Sequence, residues 1–237
     1  MRAMILAAGR GERMRPLTDH FPKPLLPVAG KALIVHHIEA LAAAGVLDIV
    51  INHAWLGHLI EQQLGDGQQF GVRLLYSAEG ATALETAGGI KKALPMLGTE
   101  PFIVINGDVL STFQPATLLA QGLAQNALAH LVLVPNPPQH PKGDFAFAAA
   151  SPWLCSNGIE QFTFSGIALY HPDFFKDVPD GPQKLAPFLR QAMMQQQVSG
   201  ELFSGYWADI GTPERLQQAD LAFAAQQAMQ LRNNHVG

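Results

Sequence analysis

Cysteine is almost absent from this sequence, since Cys155 is the single cysteine among 237 residues. One thiol cannot form an internal disulfide, and it cannot build a cysteine-rich zinc site. Both kinds of cross-link are therefore excluded. We interpret Cys155 as a residue without a functional role.

Charge is also scarce, because charged residues make up 14% of the chain and the net charge is −4. A nucleic-acid-binding protein needs a basic face, so that class is excluded. No apolar run approaches the roughly 20 residues of a membrane span, and Met4 to Ala8 is too short for a secretory signal. We expect one cytoplasmic domain over residues 1–237, with neither nucleic acid nor membrane as a partner; homo-oligomerisation is left open.

Several common catalytic motifs are missing. No G-x-x-x-x-G-K-[ST] loop follows Gly9 or Gly11, and Met14 stands where a dinucleotide fingerprint needs a small residue. The absence of G-x-S-x-G leaves a hydrolase without its nucleophile, and the histidines lack the spacing of a zinc site. A D-x-D metal motif, expected of a processive glycosyltransferase, is replaced by Asn106-Gly107-Asp108.

Short apolar runs alternate with segments of helical periodicity, which predicts an α/β fold with a parallel sheet. The predicted strands are Met4–Ala8, Ile49–Asn52, Val72–Tyr76, Phe102–Asn106 and Leu131–Val134. Later, Asp144–Ala149 and Gln161–Tyr170 predict strands without an intervening helix, and so an antiparallel part of a mixed sheet. Helices are predicted from near Lys31 to Gly45, over Lys184–Gln197 and over Pro213–Leu231 with Thr212 as N-cap.

A basic, glycine-bearing loop follows the first predicted strand. Glycine lets backbone N–H groups approach an anion closely, and the loop is followed by a lysine between two prolines, Pro22 and Pro24. Its four cations supply charge for a polyphosphate: Arg10, Arg13, Arg15 and Lys23. The opening therefore predicts nucleoside triphosphate chemistry.

Two aspartates are candidate metal ligands. Asp108 follows the apolar strand Phe102–Asn106, and the carboxyl ends of parallel strands are where open α/β sheets bind ligands. Carboxylate oxygens beside phosphates suit Mg²⁺. Asp209 comes late in the chain, before Gly211 and Thr212. Taken alone, the first motif is typical of a turn, and the second aspartate could cap a helix.

The segment from Leu6 to Pro27 resembles the signature of the sugar-1-phosphate nucleotidyltransferases, L-A-x-G-x-G-x-R-[LM]-x-P-[LM]-T followed by P-K-P-[LM]-[LM]-P. Three further segments are similar to that family: Glu79–Gly89 to E-x-x-x-L-[GE]-T-A-G, Gly107-Asp108 to its G-D, and Trp207–Pro213 to W-x-D-[ITV]-G-T-P. The resemblance implies a single Rossmann-like domain with a mixed, mostly parallel sheet flanked by helices. The C-terminal β-helix of longer members has no counterpart, because no hexapeptide period is found.

The resemblance also implies roles for individual residues. Arg13 and Lys23 would be catalytic, acting on the leaving phosphates and on the α-phosphate, and Asp108 with Asp209 would hold Mg²⁺. The implied nucleotide-binding residues are Leu6, Ala7, Ala8, Gly9, Gly11, Glu79, Thr86, Ala87, Gly88 and Asn106. The implied partners are a nucleoside triphosphate and a sugar 1-phosphate.

The sugar side is less defined. Gly143, Ser165 and Gly166 resemble sugar-pocket positions, but the E-K-P segment that supplies a sugar-binding lysine in the hexose-phosphate enzymes is missing between Ala149 and Phe162. Within the family the chain is most similar to N-acetylmuramate-1-phosphate uridylyltransferases of Gram-negative cell-wall recycling. A mannose-1-phosphate guanylyltransferase and a silent nucleotide-sugar-binding regulatory domain are the alternatives. For the carboxylate of an acidic sugar, Lys142 and Arg190 are the candidate partners.

Overall fold

The computed structural model describes residues 1–80, 82–149 and 151–234, with side chains up to residue 225. Its strands are β1 Arg2–Leu6, β2 Pro27–Val28, β3 Lys31–Ala32, β4 Asp48–His53, β5 Arg73–Ala78, β6 Phe102–Asn106, β7 Val109–Ser111, β8 Ala129–Val134, β9 Ala146–Phe147, β10 Leu154–Cys155, β11 Thr163–Tyr170, β12 Val198–Leu202 and β13 Trp207–Asp209. Its α-helices are α1 Leu33–Ala43, α2 Gly57–Leu64, α3 Glu85–Leu97, α4 Pro115–Gln121, α5 Leu185–Met194 and α6 Pro213–Asn234.

A seven-stranded sheet forms the centre, in the order β12-β8-β11-β6-β1-β4-β5. Strand β11 runs antiparallel to both of its neighbours, and the other pairings in this sheet are parallel. The prediction of a mixed, mostly parallel sheet flanked by helices is confirmed. None of the helices in the described ranges has the length and apolar content needed to cross a membrane.

Each central strand buries both of its faces. Met4 belongs to the cluster that packs with α3 and α5, and Ile5 belongs to the cluster on the opposite face that packs with α1. Successive side chains of a strand point to opposite faces, so a strand covered on both sides reads as a continuous apolar run. This is why the strands with continuous apolar runs could be predicted from the sequence.

The predicted strand Asp144–Ala149 is wrong in extent. Only Ala146–Phe147 is a strand, and it pairs with β10 in a separate small ribbon rather than with the central sheet. The start of the predicted segment lies beside β11 instead, because Asp144 Oδ2 accepts the Phe164 N–H at 2.8 Å.

Helix ends follow the local chemistry. Helix α1 starts at Leu33 because Lys31 and Ala32 first pair with β2, and it ends before Gly45, whose φ of 81° is a left-handed conformation that suits glycine. At α6 the Arg215 N–H donates to Thr212 Oγ1 at 3.3 Å. The predicted N-cap at Thr212 is therefore confirmed.

Candidate active site

The loop after β1 meets the end of β6 at one edge of the sheet. Leu6 lies opposite Asn106 in the parallel register, and the Gly107 N–H donates to the Leu6 carbonyl at 2.8 Å. The Ala7 N–H donates to Asn52 Oδ1 at 2.9 Å, which fixes the start of the loop. A Cβ at Gly107 would lie 2.6 Å from the Leu6 carbonyl oxygen, so this close approach requires glycine.

These elements enclose an open cleft of about 340 Å³, here called the central cleft. Most of the predicted nucleotide and catalytic residues come together there. Its lining residues are Leu6, Ala7, Gly9, Gly11, Glu12, Arg13, Met14, Lys23, Pro24, Thr86, Asn106, Gly107, Asp108 and Gly211. Ala8 lies in the same loop but does not line the cleft.

The loop cations divide into two groups. Arg10 binds Asp19 Oδ1 at 3.0 Å and stacks on Trp55, 3.8 Å from the ring centroid. Arg15 binds the same Asp19 oxygen at 2.8 Å. The hydrogen bond from Arg10 is the main cause that lowers the pKa of Asp19. Arg10 and Arg15 are thus paired within the loop and do not line the cleft, whereas Arg13 lines it and forms no ion pair with any described residue.

Lys23 is held against the first aspartate. Its Nζ lies 2.7 Å from Asp108 Oδ2, and the residue is only 8% exposed. Burying an ammonium group is costly unless it is paired, and Asp108 supplies that pairing. The cleft therefore presents a fixed, largely desolvated cation beside a carboxylate.

The second aspartate reaches the same place through a strand pair. Strands β7 and β13 are antiparallel, Asp209 lies opposite Val109, and the Ile210 N–H donates to the Asp108 carbonyl at 2.7 Å. Asp209 is itself held by Arg215, whose Nη1 contacts both carboxylate oxygens at 2.5 Å, and by Gln139 Nε2 at 2.6 Å.

The chemistry of the two aspartates suits a divalent cation that is held jointly with phosphate groups. The described residues contain no group of three or more histidine, cysteine, aspartate or glutamate side chains able to hold a metal. Magnesium, however, is usually bound through one or two carboxylates together with substrate phosphates, rather than in an all-protein cage. Asp108 and Asp209 line the same cleft and provide hard oxygen ligands of that kind, and each is paired with a cation.

A second cleft of about 330 Å³, here called the carboxylate cleft, adjoins the first and contains both aspartates. It is lined by Arg13, Asn106, Asp108, Val109, Pro137, Gln139, His140, Thr163, Phe164, Ser165, Trp207, Asp209 and Arg215.

The predicted sugar residues differ in their relation to this cleft. Ser165 lines it, and its carbonyl accepts the Trp207 indole N–H at 2.9 Å. Gly166 lies behind it at a bulge with φ 80°, where a Cβ would be 2.6 Å from Asn106 Nδ2. Gly143 does not line the cleft. It lies in a tight turn, where a Cβ would be 2.7 Å from Asn136 Oδ1.

Near the start of α3, most of the groups predicted to bind the nucleotide are hydrogen-bonded to other groups of the protein. Glu79 is buried, with Oε1 accepting from Asn52 Nδ2 at 2.6 Å and Oε2 accepting the Leu84 N–H at 2.6 Å. The N–H groups of Ala87 and Gly88 donate to the Gln183 carbonyl at 2.9 and 3.2 Å. At this end of the helix, Thr86 is the predicted nucleotide-binding residue that lines the central cleft.

A third cleft of about 270 Å³, here called the lateral cleft, opens beside Thr86 and Asn106. It is lined by Glu85, Thr86, Asn106, Asp144, Phe145, Phe164, Lys184, Leu185, Ala186 and Leu189. Neither cation predicted for a sugar carboxylate lines any of the three clefts. Lys142 is exposed in the loop before Gly143, and the Arg190 guanidinium lies 6.0 Å from the Phe145 ring.

The site also contains residues to which the sequence analysis gave no role. Trp207 lies two residues before Asp209, within the Trp207–Pro213 segment. Arg215 follows that segment, and a helix capped at Thr212 places it in the first turn, so the sequence could have indicated Arg215. Gln139 and Lys184 belong to segments distant along the chain from the glycine loop. No local pattern marks them.

Comparisons with known proteins agree with this geometry. The nucleotidyl transferase family profile matches residues 2–226. An N-acetylmuramate alpha-1-phosphate uridylyltransferase of Neisseria meningitidis is 53% identical, covering 92% of this chain and 96% of that protein. A mannose-1-phosphate guanyltransferase of Neurospora crassa is 33% identical over 90% of this chain, which spans 62% of that protein. A solved structure of a glucose-1-phosphate thymidylyltransferase candidate from Bacillus anthracis superposes with a TM-score of 0.83 at 25% identity, covering 94% of this chain and 95% of that one.

Proposed function

Since the chain belongs to the nucleotidyl transferase family, we propose that it transfers UMP from UTP to N-acetylmuramic acid 1-phosphate, giving the UDP-sugar and pyrophosphate. The observation that carries the proposal is the 53% identity, along nearly the whole of both chains, to a protein named for this reaction. The guanyltransferase relative is more distant and longer. A silent binding domain is disfavoured because Arg13, Lys23, Asp108 and Asp209 are all retained, and binding alone does not need all four.

The reaction is an in-line attack of a sugar phosphate oxygen on the α-phosphorus. A new phosphorus–oxygen bond forms, the bond from the α-phosphorus to the bridging oxygen breaks, and pyrophosphate leaves with the electron pair. Such chemistry depends on positioning and charge stabilisation rather than on a covalent enzyme intermediate. The fixed ammonium of Lys23 suits the charge at the α-phosphate, and Arg13, which is free of internal ion pairs in the described residues, suits the leaving pyrophosphate.

A divalent cation fits the pair formed by Asp108 and Asp209 and would supply charge stabilisation to the bound phosphates. We propose Mg²⁺ as this ion because both ligands are hard carboxylate oxygens. We also propose a cytoplasmic location and a role in cell-wall recycling, which follow from the chemistry of the named relative rather than from any contact in the structure.

The reaction is tested by measuring pyrophosphate release from the purified chain, with UTP, GTP, dTTP and ATP each offered against three sugar 1-phosphates. We expect kcat/KM to be highest for UTP with N-acetylmuramic acid 1-phosphate, ahead of UTP with N-acetylglucosamine 1-phosphate. A preference of about tenfold, or 1.4 kcal/mol, for GTP with mannose 1-phosphate would replace the proposal with the guanylyltransferase alternative. No release from any pair would support the silent binding domain.

A further inference from the structure

The lateral cleft is separate from the residues that act on phosphates. Arg13, Lys23, Asp108 and Asp209 are all absent from its lining. It nevertheless joins the other clefts, because Asn106 lines all three and Phe164 lines both the lateral and the carboxylate cleft. A sugar whose phosphate lies at Lys23 would extend over Asn106, and its ring substituents would enter the lateral cleft.

The walls of this cleft suit a substituted sugar rather than a bare hexose. Phe145, Leu185 and Leu189 are buried apolar residues that form much of the lining. Apolar walls with a few placed polar groups are typical of small-molecule sites. Acetamido and lactyl groups carry methyl groups that such walls can cover.

Lys184 is the one cation that lines the lateral cleft among the residues the structure describes. It forms no ion pair with those residues, unlike Lys23 and Arg215. Its backbone is nevertheless fixed, because the adjacent Gln183 donates its N–H to the Leu84 carbonyl at 2.9 Å and accepts the N–H groups at the start of α3. The result is an unpaired ammonium group on an anchored segment of the cleft wall.

Two carboxylates also line this cleft, and they differ in availability. Asp144 is occupied, since its Oδ1 lies 3.1 Å from His140 Nε2 and its Oδ2 accepts the Phe164 N–H at 2.8 Å. Glu85 is exposed on the rim. It opposes an anionic ligand, so removing its charge should strengthen the binding of such a ligand.

We propose that Lys184 is the specificity-determining residue that receives the carboxylate of an acidic acceptor sugar in the lateral cleft. The inference rests on the proposed function and deepens it, because it assigns the group that distinguishes a lactyl-bearing sugar from its neutral counterpart. A hydrogen-bonded charge pair at this wall accounts for selectivity without any contact to the reacting phosphates.

The test compares two sugar 1-phosphates that differ by the lactyl group, with UTP held at saturation. In Lys184→Gln, we expect kcat/KM for N-acetylmuramic acid 1-phosphate to fall about tenfold or more, mainly through a higher KM, because a charged hydrogen bond is lost. The value for N-acetylglucosamine 1-phosphate should stay within about twofold, as should the KM for UTP, which is measured in a separate titration of UTP. Lys184→Arg should retain most of the selectivity, and Glu85→Gln should increase it.

Lys142→Gln is the matched control, because it removes an exposed lysine that lies outside the clefts. This variant should leave kcat/KM unchanged for both sugar 1-phosphates. An equal fall for both sugars in Lys184→Gln would indicate a structural role and overturn the inference, as would unchanged selectivity. A wild-type enzyme that does not distinguish the two sugars would contradict the proposed function itself, and the inference with it.

Discussion

Among single residues, Lys23 combines burial with a short contact to Asp108. We predict that Lys23→Ala lowers kcat by a factor on the order of 10² to 10³, because removing one preorganised electrostatic contact typically has that effect. The measurement is steady-state pyrophosphate release with saturating substrates. Lys31→Ala is the control, since Lys31 pairs with Glu39 at 2.6 Å on the surface. Near-normal turnover of a Lys23→Ala protein with wild-type circular dichroism would contradict the catalytic role.

For single residues, the sequence indicated which side chains lie near the site better than it indicated which contacts they make. The resemblance to the nucleotidyltransferase signature pointed to Lys23, Arg13 and the two aspartates, and these four residues line two adjoining clefts. The sequence did not show that Arg10 and Arg13 make different contacts, because Trp55, on which Arg10 stacks, lies far along the chain. Nor could it show that the oxygens of Glu79 are used by Asn52 and Leu84.

At the scale of elements, the β7–β13 pair brings the two aspartates together. We predict that Asp209→Asn raises the Mg²⁺ concentration needed for half-maximal turnover by about tenfold or more, because an amide keeps the shape but loses the charge that attracts the ion. The folded fraction should be unchanged, since Gln139 and Arg215 can still reach the amide.

The measurement is a Mg²⁺ titration of activity, with Asp177→Asn as a control on an exposed carboxylate outside the clefts. A wild-type Mg²⁺ dependence in Asp209→Asn would show that Asp209 has no role beyond the turn in which it lies. Turnover in excess chelator would refute the metal requirement altogether.

Elements with continuous apolar runs were predictable, whereas the partners of short strands were not. Phe102–Asn106 was predicted with its exact bounds because a strand covered on both faces is apolar throughout. By contrast, β7 and β13 are three residues each and pair across a long separation in sequence, so no local periodicity marks them. The later start of the strand that was predicted from Asp144 likewise depends on a contact to β11.

For the whole molecule, His37 links stability to pH. Burial lowers the pKa of His37 from an ordinary value near 6.5 to about 4. The unfolded chain therefore binds a proton between these values that the folded protein excludes, so stability falls as the pH is lowered through this window. One pKa unit corresponds to about 1.4 kcal/mol, and the full separation to roughly 3 kcal/mol.

We predict that the free energy of unfolding in urea decreases from pH 7 towards pH 4.5, and that His37→Gln makes this dependence clearly shallower. The comparison uses the slope rather than the absolute stability, because the substitution also alters the packing around this buried residue. Equal slopes for the two proteins would show that His37 is not the responsible group.

The overall fold was accessible from sequence because alternating strands and helices in this order leave few ways to cover a sheet. The insertion of β11 between β8 and β6 was predicted only as an antiparallel part of a mixed sheet. Its exact place is decided by long-range pairing, and the same holds for the lateral cleft, which gathers residues from five separate stretches of chain between Glu85 and Leu189.

Among the residues that the structure describes, Asn106 alone lines all three clefts, and this has a consequence for how such an enzyme can diversify. Substitutions at Lys184 or Glu85, which are exposed, change only the lateral wall and leave the phosphate-handling side chains in place, whereas Phe145 and Leu189 also belong to the buried core. Acceptor preference can therefore drift in small steps without a loss of turnover in between. Asn106 and Gly166 are the opposite case, because a Cβ at Gly166 would lie 2.6 Å from Asn106 Nδ2, and a displaced Asn106 changes the lining of all three clefts. An engineer seeking new nucleotide sugars would vary the lateral wall and keep these two positions fixed.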